Sequence, residues 1–100
     1  MLKELYVVNE NGQIEINFDA LELVTSQEFV EEVKNCFGNG RSGMEIVSVN
    51  VDTSFSRATV ILKGEYIVWV CRYTYGAVDS LLLDVQDLKV LKSIYEGFDL

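Results

Sequence analysis

The chain reads as an α+β protein, a single antiparallel sheet of about five strands with two helices, in the order β-β-α-β-β-β-α. Three observations lead there. Apolar and polar residues alternate at 2–19, 44–52, 57–63 and 65–75, the two-residue period of half-buried strands. Between the first and second of these runs, an apolar stripe at spacings of three and four marks a helix. The last three strand segments are joined by connections of only a few residues, which suits antiparallel neighbours and not parallel ones.

The first segment reads as a β-hairpin turning at Asn11-Gly12, since a type I′ turn needs positive φ at both central residues. That turn pairs Glu10 with Gln13, Val7 with Ile16 and Leu5 with Phe18. It puts Leu5, Val7, Ile14, Ile16 and Phe18 on the inner face, with Tyr6, Glu15 and Asn17 outside. Residues 20–24 fit either an extension of the strand or an early helical turn.

The helix is expected at about 26–37, with Thr25 as N-cap and Glu28 completing a capping box. Phe29, Val30, Val33, Cys36 and Phe37 form its apolar stripe, and Gly38 is its expected stop. Residues 38–43, Gly-Asn-Gly-Arg-Ser-Gly, read as a loop. Three strands follow as a meander. The last, 65–75, sets Tyr66, Val68 and Val70 on one face and Ile67, Trp69, Cys71, Tyr73 and Tyr75 on the other. Being apolar on both faces, it belongs in the middle of the sheet. In the stretch 79–98, Leu88, Leu91, Ile94 and Tyr95 fit a helical stripe after Asp87 as N-cap. Leu81-Leu82-Leu83 fits either that helix or a short buried strand. Nothing in the chain suggests a repeat or a linker, so residues 1–100 are expected to form one domain.

Composition narrows the chemistry. The chain has 100 residues, 49% of them hydrophobic, and a formal net charge of −8. It contains no histidine, which removes the commonest general base and metal ligand. It contains no proline either, so its turns depend on Gly, Asn, Asp and Ser. Cys36 and Cys71 have no CxxC partner and no imidazole to activate them, so they read as reduced core residues, with a single bridge between them as the alternative. Two thiols without imidazole do not make a zinc site, and no calcium-loop motif is present. The Gly-rich loop leaves a helix C-terminus, the wrong end for cradling a phosphate. Adjacent carboxylates such as Glu31 and Glu32 point apart on a helix, which does not favour paired acid–base work. The aromatic run 66–75 would suit nucleic-acid stacking on a basic protein, but net negative charge opposes phosphate binding. The expectation is therefore a non-enzyme with no cofactor, no metal, no direct nucleic-acid contact and no membrane association. The first residues lack a secretory signal pattern, and with two cysteines a cytoplasmic location is expected.

The charge is uneven. Residues 1–32 hold eight carboxylates against Lys3 alone, net −7, whereas residues 33–78 carry a net +2. Such a field accelerates encounter with a cationic partner. Glu15, Glu22, Glu28, Glu31 and Glu32 are the candidate partner-binding residues, directed outward by strand alternation and helical spacing. The expected function is protein binding. The chain would be an inhibitor or immunity-type protein, of the kind carried by phages and mobile elements, that occludes a basic site on a nucleic-acid-acting partner. The likeness to such proteins is one of size and charge alone. The alternative is an assembly module that self-associates as a homodimer through an edge strand, in the first hairpin or at 44–52.

Overall fold

The computed structural model describes residues 4–39 and 44–84. Within them the order is β1 (Tyr6–Val8), β2 (Ile14–Ile16), α1 (Phe18–Val24), α2 (Gln27–Asn39), β3 (Glu45–Asp52), a 3₁₀ turn (Thr53–Phe55), β4 (Arg57–Lys63), β5 (Ile67–Thr74) and β6 (Ala77–Asp84). The fold is α+β. It has two antiparallel sheets, a two-stranded β1–β2 ribbon and a four-stranded meander β3-β4-β5-β6, in place of one five-stranded sheet. The reason lies at Asn17, which follows β2 directly and caps α1 by accepting a hydrogen bond from the Ala20 amide at 3.2 Å. The chain turns into a helix there, so Phe18 is helical and β2 stops after three residues.

The hairpin register also differs from expectation by one residue. The pairs are Tyr6 with Ile16, Val7 with Glu15 and Val8 with Ile14. The Asn9 carboxamide oxygen accepts from the amides of Asn11 at 2.9 Å and Gln13 at 3.0 Å. Gly12 takes φ +79°. The loop is thus three residues long, a turn closed by a glycine in the left-handed region. One extra loop residue exchanges faces, so Tyr6 joins Ile16 while Val7 joins Glu15.

Helix α2 begins one residue later than expected. Ser26 Oγ accepts from the Phe29 amide at 3.1 Å, which makes Ser26 the N-cap. Thr25 instead donates its hydroxyl to the Leu21 carbonyl at 2.6 Å and closes α1. Glu28 is therefore one place too early for a capping box. The helix also runs past Gly38 to Asn39. Phe29, Val30, Val33 and Cys36 are buried, as their stripe requires, while Phe37 is 44% exposed.

The four-stranded sheet follows the alternation closely. β4 occupies the expected residues, and β4 and β5 are its two central strands. Ala58, Val60, Leu62 and Cys71 pack against Leu21, Phe29, Val30 and Val33 from the helices. Ile61, Val68 and Val70 form a second buried cluster with Val47 and Leu83, from the opposite pleat. A bulge between Ile46 and Ser48 leaves Val47 unpaired and realigns the rest of β3. Residues 77–84 are strand, which resolves the leucine run in favour of β6. Tyr75 lies in the turn after β5, not in the strand. The expected loop residues 40–43 and the expected helix around Leu88–Tyr95 lie outside the described residues.

Candidate functional site

Helix α2 is held by one face and presents the other. Phe29, Val33 and Cys36 are no more than 3% exposed, and Phe29 meets the Tyr73 ring at 5.9 Å between centroids. Tyr73 is accordingly half-buried, not solvent-facing. With that side fixed, Glu28 and Glu31 face outward and Glu32 lies at the boundary. These three carboxylates, with Ser26, Gln27 and Asn35, line one shallow depression of about 380 Å³. Glu32 also accepts a weak hydrogen bond from the Cys36 thiol at 3.5 Å. Lys34 does not line the depression; its ammonium lies over the Phe18 ring at 5.2 Å.

The expected acidic set is thus divided. Glu28, Glu31 and Glu32 come together on α2. Glu15 is exposed on β2 and Glu22 is exposed on α1, and neither lines the depression. Helical spacing made the first group legible, because residues three and four apart share a face. The relation of Glu15 and Glu22 to that face depends on how the ribbon and α1 pack.

A larger cleft, of about 530 Å³, lies at the end of the sheet and is lined by residues of β3, the 3₁₀ turn, β4 and β5. Strand pairing lines up Asn50, Thr59, Arg72 and Asp79 in one row across the sheet, and Asp52, Arg57, Thr74 and Ala77 two residues along. Sequence reasoning missed this polar half of the sheet; the polar positions Asn50, Asp52, Arg57, Thr59 and Arg72, spread over three strands, were its signal. Its charged groups have structural tasks. Arg72 forms a two-bond fork with Asp79, Nε to Oδ1 at 2.8 Å and Nη2 to Oδ2 at 2.5 Å. That fork lowers the Asp79 pKa and raises that of Arg72. Asp52 caps the 3₁₀ turn by accepting from the amides of Ser54 and Phe55, and the Arg57 guanidinium lies over the Phe55 ring at 5.8 Å. Arg57, Arg72 and Asp52 are the charged residues of its lining, and Asp79, just outside it, pairs with Arg72. The acidic depression is smaller, and among the described residues its lining holds three carboxylates and no cation.

No known protein family, curated protein or solved structure matches the chain. Among the described residues, no helix is long and apolar enough to cross a membrane.

Proposed function

We propose that the chain is a non-enzymatic binding protein that offers the acidic face of α2 to a basic site on a nucleic-acid-acting partner. The observation that carries this reading is the grouping of Glu28, Glu31 and Glu32 around one depression on a helix anchored through its opposite face. An anchored helix fixes the backbone that carries the carboxylates, so docking orders only the glutamate side chains and not the helix itself. The carboxylates stand where backbone phosphates would otherwise lie, and the mechanism is competitive occlusion. Opposed fields raise the association rate most at low ionic strength, and screening beyond about 10 Å at 0.1 M salt weakens it.

The test compares the wild-type chain with the triple reversal Glu28→Lys, Glu31→Lys and Glu32→Lys. Each is used to capture proteins from native host extract at low salt. The wild type is expected to retain a basic protein whose nucleic-acid binding it blocks, to release it as salt rises, and to lose it on triple reversal. Capture that survives both molar salt and the reversal overturns the reading.

A second reading, self-association through an edge strand, is favoured by β6. Among the described residues it forms an eight-residue edge of the meander, with Leu81 and Leu82 43% and 51% exposed. β3, covering the expected 44–52 edge, is the other outer strand. Sedimentation at high concentration decides this point: a dimer dispersed by Leu82→Lys supports it, and a monomer throughout removes it.

A further inference from the structure

The two cysteines lie 35 residues apart in sequence, yet their sulfurs are 3.5 Å apart, with the Cys71 thiol donating to Cys36 Sγ. One sits on the core face of α2 and the other in central strand β5, and they are 3% and 0% exposed. Both are free thiols. A disulfide needs its sulfurs at about 2.05 Å, so the pair must close by only about 1.5 Å, within the reach of small side-chain rotations. Two small core residues could be placed anywhere on this interface; these two face each other across the only helix-to-sheet layer among the described residues.

We propose that Cys36 and Cys71 form a latent intramolecular disulfide that ties α2 to β5 when a low-molecular-weight disulfide oxidant is present. Glutathione disulfide serves as the oxidant. The Cys36 thiolate attacks one of its sulfurs, forming a mixed disulfide and releasing one glutathione thiolate. The Cys71 thiolate then attacks Cys36 Sγ, closing the protein disulfide and releasing the second glutathione. The protein loses two electrons and two protons; the oxidant gains the electrons, and the released thiolates take up the protons. Cys36 acts first because it is the less enclosed of the two, at 3% against 0% exposure, with the Glu32 side chain beside it at the edge of the core.

Burial also sets the rate. Desolvation pushes the Cys36 thiol up to about 11 and the Cys71 thiol further still, so neither supplies much thiolate at neutral pH. The folded protein therefore holds the pair reduced under brief oxidation, and the link forms when the helix lifts from the sheet or while the chain folds. Once formed, it closes a long loop and restricts the unfolded chain. The inference does not depend on the acidic-face reading, although the helix it would lock is the same one.

The test equilibrates the full chain in glutathione buffers, both directly and by dilution from urea. The expected product is a monomer lighter by two hydrogens that yields a linked Cys36–Cys71 peptide on digestion. It forms faster in the refolding arm and melts at a higher temperature than the reduced chain. Cys36→Ala and Cys71→Ala should each give only the glutathione adduct. Adducts or intermolecular dimers as the main wild-type product, absence of the link in the refolding arm, or a linked form that melts no higher would each overturn the proposal.

Discussion

Tyr75 and Ser56 are the described non-glycine residues with positive φ, at 49° and 50°, and the Tyr75 amide donates to the Ser56 carbonyl at 2.9 Å. Tyr75-Gly76 is a two-residue hairpin loop in which both residues are left-handed, a geometry that suits Asn-Gly far better than Tyr-Gly. The Tyr75 side chain is 69% exposed, so little packing offsets the backbone cost. Tyr75→Asn is expected to raise stability by roughly 0.5–1 kcal/mol, read as a higher urea midpoint with an unchanged slope. The thiols give a second expectation at this scale. Desolvation keeps both neutral in the folded state, so their folded pKa values lie above the unfolded one. Their contribution is complete below the ordinary thiol value of about 8.5 and declines as pH rises toward 11 and beyond. Glu32, facing Cys36, and Asp79, acting on Cys71, push in the same direction. Urea midpoints measured from pH 8 to 10.5 should fall for the wild type and fall less steeply for Cys36→Ala.

At the scale of elements, the helices were legible in part because caps and stripes are local. The stripe Phe29, Val30, Val33 and Cys36 names α2, but the choice between Thr25 and Ser26 as its cap could not be read. Both carry a hydroxyl, and the decision rests on α1, whose last turn uses Thr25. Ser26→Ala is expected to cost about 1 kcal/mol in chemical denaturation. The same substitution at Thr25 would report on α1 instead. The hairpin shows a similar limit. Asn11-Gly12 announces a turn, but Asn9 determines its length through bonds to Asn11 and Gln13. Neither its composition nor its alternation distinguishes the two registers, since Val7 and Tyr6 both suit a strand.

Across the whole molecule, the four-stranded meander supplies the platform and α2 covers one of its faces. Leu62 is fully buried on that face, among Val60, Val33 and Phe29. Leu62→Ala should therefore destabilise by about 2–5 kcal/mol, visible as a lower melting temperature. The triple reversal on the exposed side of α2 should leave the melting temperature within a few degrees of wild type. The carboxylates it replaces are solvent-facing, apart from the boundary residue Glu32. These two outcomes separate the core of the platform from the face it displays.

Short-range information alone determined the α+β class, the antiparallel meander, the central place of β5, the core side of α2 and the outward direction of its carboxylates. Each follows from a repeat of two or from spacings of three and four, which neighbouring residues impose on one another. Tertiary structure decided the rest. It separated the hairpin as its own sheet, converted Phe18–Val24 into a helix, and aligned Arg72 with Asp79 across strands. It also left Glu15 and Glu22 outside the α2 depression and brought Cys36 to Cys71. The helix at Phe18–Val24 starts on the local Asn17 cap, a signal that competes with strand extension at residues 20–24. The others depend on which distant segment supplies a partner for a side chain or an apolar face, and burial decides that only once the whole chain is packed.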